Sequence, residues 1–72
     1  MNKKDFITED LLSKIYQEKY KVGEKLPTER ILATQYSVSR HTIREALKKL
    51  LSIGSIRIVQ GSGIFISEVN YK

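Results

Sequence analysis

The hydrophobic residues of the chain follow a helical spacing over most of its length and change to an alternating pattern near the end. The clearest helical stripe consists of Ile43, Ala46, Leu47 and Leu50. On a helical wheel these side chains share one face, and mainly polar or charged side chains occupy the opposite face. Ser39 stands where an N-cap belongs and Gly54 where a helix ends, so the pattern predicts an amphipathic helix over residues 39–53.

A first helix is predicted near the N-terminus. Thr8 is followed by two acidic residues and has the character of an N-cap, which predicts a helix over about residues 8–19. Its inward stripe would consist of Leu11, Leu12, Ile15 and Tyr16. Tyr16 and Tyr20 could instead form a base-stacking pair, but they lie in the more acidic half of the chain, which favours core packing. Gly23 is the predicted left-handed residue of the turn that follows.

A second, shorter helix is predicted between these two. Pro27 disfavours helix immediately before it and Thr28 is placed to act as an N-cap, which predicts a helix over residues 29–36. Its inward residues would be Leu32, Ala33 and Tyr36. Only two residues separate this helix from the cap of the next one, so the link must be a sharp turn. Two helices joined in this way form a helix-turn-helix unit.

The last segment has the pattern of β-strands. Apolar residues alternate along the chain from Ile56, and residues 64–69 are rich in β-branched side chains. Between them, the Gln-Gly-Ser-Gly sequence of residues 60–63 is typical of a hairpin turn. We therefore expect a two-stranded wing over about residues 55–69. The predicted fold is mainly α with a small β-hairpin: a winged helix-turn-helix of three helices followed by a two-stranded wing.

The composition argues against several classes of function. The 72 residues make one small domain, and the absence of cysteine excludes disulfides and thiolate metal sites. The single histidine, His41, cannot form an all-imidazole metal site, and no catalytic constellation stands out, so we expect neither an enzyme nor a cofactor. No apolar run approaches the ~20 residues of a membrane span, and acids stand where a signal peptide needs its apolar stretch. We therefore expect a cytoplasmic protein without a membrane partner.

Positive charge is concentrated in the second half of the chain. Residues 1–36 carry seven Lys/Arg and six Asp/Glu, whereas residues 37–72 carry six and two. This asymmetry suggests a surface that faces a polyanion. Lys48 and Lys49 lie too far along the third helix to reach bases, so they would touch phosphate at best or remain solvated. Glu45 would either pair with one of them or accept a hydrogen bond from a cytosine.

The first turns of the third helix carry side chains suited to reading DNA. Arg40 and Arg44 are one turn apart, and an arginine can donate two hydrogen bonds to O6 and N7 of a guanine. Thr42 can offer its hydroxyl to a phosphate or its methyl group to a thymine, and the positive end of the helix also favours phosphate. We expect Arg44 to read a base and Arg40 to contact a base or the backbone. The alternative for Arg44 is an ion pair with a nearby acid.

Together these motifs resemble the winged helix-turn-helix domain of the GntR family of bacterial transcription regulators. The resemblance rests on Gly23-Glu-Lys-Leu-Pro-Thr-Glu-Arg30, Val38-Ser-Arg40, Ile43-Arg-Glu-Ala-Leu47 and Gly61-Ser-Gly63-Ile-Phe. It implies a contact to phosphate or base by the arginine after Pro-x-Glu. It also implies DNA contacts by the start of the third helix in the major groove and by the wing tip in the minor groove. The residues at those positions are Arg30; Ser39, Arg40, His41, Thr42 and Arg44; and Gln60, Gly61 and Ser62.

The chain departs from the family pattern at four positions. Ser37 stands where the turn usually has glycine, and Ile31 leaves the capping box of the second helix incomplete. His41 differs from the usual small or hydroxyl residue, so the resemblance implies no base preference there. Ser62 replaces a basic residue often found at the wing tip, which should weaken the minor-groove contact.

The resemblance also implies a partner domain. Family members carry a C-terminal domain that binds a small metabolite and dimerises, whereas this chain stops at Lys72. We therefore expect an excised DNA-binding domain, the alternative being an unusually short protein. Its full-length protein would be a homodimer on a palindromic double-stranded operator, with the effector acting only through the missing domain. The alternative is a winged-helix module that binds a protein partner without DNA. The mainly basic and polar outer face of the third helix disfavours that alternative.

Overall fold

The structure is a computed structural model that describes residues 2–67, and it contains three helices followed by an antiparallel strand pair. The elements are α1 (Lys3–Tyr16), α2 (Glu29–Tyr36), α3 (Arg40–Ile53), β1 (Ile56–Val59) and β2 (Gly63–Ile66). This architecture confirms the predicted fold class. The predicted end of the wing, residues 68–69, lies outside the described residues. None of the described helices is both long and apolar enough to cross a lipid bilayer.

One hydrophobic core joins the three helices to the strands. Its buried members are Ile7, Leu11, Ile15, Leu26, Leu32, Ala33, Ile43, Ala46, Leu47, Leu50, Ile56 and Ile66. The predicted stripe of α3 is buried throughout, so the amphipathic pattern of that helix is confirmed. Tyr36 packs against this core while remaining partly exposed. The core fixes α3 on the other elements and leaves its opposite face free.

The predicted bounds of α1 are wrong at both ends. The helix begins at Lys3, and the side chain of Asn2 caps it by accepting the Asp5 N–H at 2.8 Å. Thr8 is buried inside the helix, where its hydroxyl donates to the Lys4 carbonyl. The earlier start is explained by Ile7, which is 1% exposed and belongs to the core. Thr8 followed by two acids resembles a helix start only when this burial is ignored.

The C-terminal end of α1 also differs from the expectation. The helix ends at Tyr16 rather than near Lys19, and Glu18 adopts a left-handed conformation with φ of 62°. Tyr16 is 49% exposed, so its predicted place in the core is wrong, whereas Tyr20 packs against the core from the following loop. Gly23 has the expected positive φ, 86°.

Local capping sets the geometry of the helix-turn-helix unit. The Thr28 and Ser39 side chains accept the N–H groups of residues 31 and 42, at 3.2 Å and 3.1 Å, as expected of N-caps. The sharp turn between the helices is built on Ser37, which adopts the left-handed conformation with φ of 56°. The Val38 N–H then donates to the Ala33 carbonyl at 3.0 Å. A serine thus takes the backbone conformation for which glycine is usual.

The wing has a neighbour that the sequence pattern does not show. β1 and β2 pair from Ile56↔Ile66 to Val59↔Gly63. On the other edge of β2, residues 24–26 run antiparallel to it, with a bridge between Lys25 and Phe65. Backbone hydrogen bonds from residue 26 to residue 64 and from residue 66 to residue 24 measure 2.8 Å and 2.9 Å. The segment that leads into α2 is therefore bonded to the wing.

Candidate nucleic-acid interface

The two arginines at the start of α3 share one carboxylate on α2. Arg44 donates from Nε to Oε2 of Glu29 and from Nη2 to Oε1, both at 3.2 Å. Nη2 of Arg40 lies 3.7 Å from the same Oε1. The structure therefore contains the ion pair that was the alternative role for Arg44. Because one negative charge faces two positive ones, the cluster keeps a net positive charge.

This arginine cluster is open to a ligand. The side chains of Arg44 and Arg40 are 51% and 61% exposed, whereas that of Glu29 is 25% exposed. The hydrogen bond from Arg44, followed by the charges of both arginines, lowers the pKa of Glu29 despite its partial desolvation. The same pairing raises the pKa of Arg44. At neutral pH all three groups are charged, and two cationic side chains are held next to each other at the N-terminal end of α3.

Glu29 is a component of the site that the sequence analysis missed. It is separated from Arg44 by fifteen residues and a turn, so no local pattern links the two side chains. The sequence contains only an indirect signal for this contact. Glu29 occupies the first turn of α2, and the helix-turn-helix connection brings that turn close to the start of α3.

Ser39, one of the two hydroxyl residues predicted to contact DNA, also caps α3. The Oγ of Ser39 accepts the Thr42 N–H and lies 3.0 Å from the Thr42 Oγ1. Ser39 and His41 are exposed, and Thr42 is partly buried. Each hydroxyl keeps further hydrogen-bonding capacity after these contacts, because a hydroxyl can donate once and accept twice. These side chains lie at the positive end of the helix macrodipole.

Arg30 lies in the first turn of α2 and is exposed, with no acid within ion-pair distance among residues 2–67. The wing tip, residues 60–62, is exposed as well. The Ser62 N–H closes the tip by donating to the Val59 carbonyl at 2.9 Å, and Gly61 has a φ of 82°. The tip therefore presents one amide side chain, one hydroxyl and backbone groups, and it has no charged side chain.

The lysines farther along α3 are engaged within the protein. Nζ of Lys48 lies 3.3 Å from Oε2 of Glu45, and Nζ of Lys49 donates to Oδ1 of Asp5 on α1 at 2.6 Å. The hydrogen bond from Lys49 lowers the pKa of Asp5. Of the two roles left open for Glu45, the ion pair with a lysine is the one present in the structure. Lys49 links α3 to α1.

No metal chemistry is apparent in the part of the chain that the structure describes. No group of three or more His, Cys, Asp or Glu side chains is arranged there to hold a metal ion. What residues 2–67 present is an exposed cationic helix end with hydroxyls beside it and an uncharged hairpin tip. These groups can donate hydrogen bonds to an anionic or hydrogen-bond-accepting ligand.

Comparison of the chain with models of known protein families identifies its family. The model of the bacterial regulatory proteins of the gntR family matches residues 3–66, which includes every described element. The chain belongs to the GntR family. Its fold and its predicted family are thereby confirmed, and the described residues form a GntR-type DNA-binding domain.

Curated GntR-type relatives are regulators of bacterial metabolism. The arabinose metabolism transcriptional repressor of Geobacillus stearothermophilus is 43% identical over 61 residues, which cover 85% of this chain and 17% of that protein. The probable fructoselysine utilization operon transcriptional repressor of Escherichia coli strain K12 is 43% identical over 60 residues, covering 83% of this chain and 25% of that repressor. The chain thus spans a quarter or less of the length of these two relatives.

Solved structures show the same fold. The DNA-binding domain of AraR in complex with operator ORE1 is similar at a TM-score of 0.89 with 42% sequence identity, over 93% of this chain and 82% of that one. The possible transcriptional regulator YydK from Bacillus subtilis is similar at a TM-score of 0.86 with 35% identity, over 100% of this chain and 32% of that one. The first of these GntR-type structures contains operator DNA.

Proposed function

We propose that this GntR-family domain binds a specific double-stranded DNA operator, with α3 in the major groove and the wing in the minor groove. The observation that carries the proposal is the pair of exposed arginines, Arg40 and Arg44, held together at the capped N-terminal end of α3. An α-helix fits the major groove of B-DNA, and arginine is the side chain that most often makes a specific contact there, to guanine. The AraR domain in complex with its operator supports this placement through its similar fold.

The site residues divide by chemistry into base readers and backbone contacts. Arg44 reads a base, because its planar group can still present free N–H donors while it is paired with Glu29. Arg40 contacts a base or a phosphate. His41 contacts a base edge, and the family resemblance implies no preferred base for it. Ser39 binds phosphate, Thr42 contacts a phosphate or a thymine methyl group, and Arg30 contacts a phosphate or a base. The wing-tip residues, Gln60, Gly61 and Ser62, enter the minor groove.

The whole protein, in this proposal, is a cytoplasmic, metabolite-responsive transcription regulator without enzymatic activity. Residues 1–72 form its DNA-reading module, and a further C-terminal domain would dimerise and bind the effector. Two copies of the module would then occupy a palindromic operator. Helices that enter half-sites one turn apart lie about 34 Å from each other. Linking two weakly binding modules raises affinity, because the second contact then occurs at a high local concentration.

The first test is a fluorescence-anisotropy titration of the domain with the DNA upstream of its own gene and with scrambled duplex, each at two salt concentrations. We expect a preference for the upstream DNA that survives the higher salt. Equal binding that disappears on both duplexes with salt would contradict sequence-specific recognition, because that is the behaviour of backbone contacts alone. Absence of binding to either duplex would favour the protein-interaction alternative.

A pair of variants tests the assignment of Arg44. Arg44→Ala should weaken binding to the specific site by about 1–3 kcal/mol and relax the preference at one base pair. Lys49→Ala is the control: its ammonium already donates to Asp5, so the preference for the specific duplex should remain. If Arg44→Ala lost equal affinity on specific and scrambled DNA, Arg44 would not be a base reader.

A further inference from the structure

The wing tip lacks the cation that minor-groove contacts usually employ. Residues 60–62 are Gln, Gly and Ser, and none carries a charge. Narrow minor grooves have an enhanced negative potential, which attracts Arg, Lys and His side chains. A hairpin tip without charge leaves this attraction unused unless another element supplies a positive group beside the tip.

Lys25, from the segment before α2, extends its side chain across the wing beside the tip. Its backbone bridges Phe65 in β2. From there its side chain runs over Gly63, the first residue after the tip. A Cβ atom placed on Gly63 would lie 2.5 Å from Cε of Lys25 and 3.4 Å from its Nζ. The absence of a side chain at Gly63 therefore makes room for the lysine, in addition to allowing the φ of 132° at that position.

The pairing of the strands places Lys25 on the outer face of the wing. Ile56 and Ile66 oppose each other and are buried, so their side of the hairpin faces the core. Because successive residues of a strand point to opposite faces, Phe65 and Gly63 lie on the other side. Lys25 is directly opposite Phe65 and shares this outer face. Its ammonium group is thus kept out of the core and directed along the surface toward the tip.

Lys25 is also a cation without an internal partner. No acid lies within ion-pair distance of it among residues 2–67, whereas five positive side chains of the helices have such a partner. The neighbouring Arg57 is engaged differently, because its guanidinium lies 5.5 Å from the centre of the Phe65 ring. Lys25 is exposed, and it precedes the Thr28 cap of α2 by three residues. It therefore lies between the wing and the start of α2.

We propose that Lys25 is the cation of the wing and binds a phosphate of the DNA backbone beside the wing tip. It thereby supplies from the α1–α2 loop the positive charge that Ser62 does not supply. A lysine ammonium is a compact point charge suited to a phosphate oxygen and carries no information about the base sequence. The proposal rests on the proposed DNA-binding function, which it extends by one contact residue.

The test compares Lys25→Gln with Lys21→Gln in salt-dependent anisotropy titrations. Both changes remove one exposed lysine from the same loop. Lys21 precedes the hydrogen bond from the Gly23 N–H to the Ile66 carbonyl, at the end of β2 away from the tip. Each phosphate contact contributes about 0.9 to the slope of log K against log salt. Lys25→Gln should therefore reduce the slope by about 0.9 and weaken binding about 5- to 10-fold at 0.1 M salt, on specific and scrambled duplexes alike.

Two further measurements make the test specific. Lys25→Arg should retain the wild-type slope, and the control Lys21→Gln should change affinity less than about twofold. Single phosphates of the duplex can be replaced by neutral methylphosphonates. At one position this replacement should weaken DNA binding by the wild type and leave binding by Lys25→Gln unchanged. If the two lysine variants behaved alike while the wild type preferred its operator, the role of Lys25 would be refuted and the DNA-binding function retained. If the wild type bound neither duplex, both proposals would fail.

Discussion

Replacing Glu29 by glutamine should tighten binding to non-specific DNA and make the domain less selective for its operator. The change keeps the size of the side chain and removes the one negative charge that the arginine cluster shares. Arg44 is 51% exposed in this pair, so the pair has the character of a surface ion pair, which contributes little to the free energy of unfolding. The domain should therefore remain folded.

The effect on DNA has two parts of different origin. A carboxylate about 8 Å from a phosphate repels it by about 0.5 kcal/mol in water, so losing the charge near two phosphates favours any duplex by about 1 kcal/mol. Binding to scrambled DNA should then tighten about fivefold. On the operator, this gain is offset because Arg44 is no longer held in one orientation by two hydrogen bonds. We expect the ratio of specific to non-specific affinity to fall about tenfold, which corresponds to 1.4 kcal/mol.

Anisotropy titrations of wild type and Glu29→Gln on both duplexes measure this ratio. Glu18→Gln is the charge-matched control, since Glu18 lies just past the end of α1 and has no ion pair among residues 2–67. The control should leave the ratio unchanged. If Glu29→Gln tightened both duplexes equally, the carboxylate would act only by repulsion and the orienting role would be refuted.

Two further predictions concern stability. Tyr36→Phe removes the donor of the 2.6 Å hydrogen bond to Asp10, which is the main cause of the lowered Asp10 pKa. The free energy of unfolding, measured with urea at pH 7, should therefore fall by about 1–2 kcal/mol. A carboxyl whose pKa is lower in the folded state stabilises the folded state at pH values above its unfolded pKa of about 4. The difference in stability between wild type and Tyr36→Phe should therefore shrink as the pH falls below 4. An equal difference at pH 2.5 would contradict the role given to the hydrogen bond with Asp10. Ser37→Gly should raise the free energy of unfolding by about 0.5–1 kcal/mol, because glycine adopts the left-handed conformation without the penalty that serine bears. Thermal unfolding measures this change, and a lower stability of the variant would refute the reasoning.

The helix-turn-helix unit could be predicted closely because its signals are local. Thr28 and Ser39 each cap the helix that follows directly, and the apolar spacing of α3 is contained within fourteen residues. The start of α1 could not be predicted in the same way. Asn2 and Thr8 both have acids in the following turn, and only the burial of Ile7 against other elements decides between them.

Two features of the site depend on contacts between distant residues. Glu29 meets Arg44 across a turn, and Lys25 meets Phe65 across forty residues of chain. Neither pair has a spacing pattern that could identify it, since each depends on how the elements pack. The sequence therefore predicted the elements that form the proposed DNA-binding face. It did not predict how Arg44 is held or what lies beside the wing tip.

The hydrogen bonds between residues 23–26 and β2 have a consequence for the DNA. They connect the wing to the segment that leads into α2, through the Gly23, Leu26 and Ile66 N–H groups. A wing fastened in this way cannot swing freely, so the separation between the proposed major-groove and minor-groove contacts is set before binding. The duplex must then adjust its groove width and curvature to that separation. Base pairs that the protein never touches should therefore influence affinity through their stiffness, which is indirect readout.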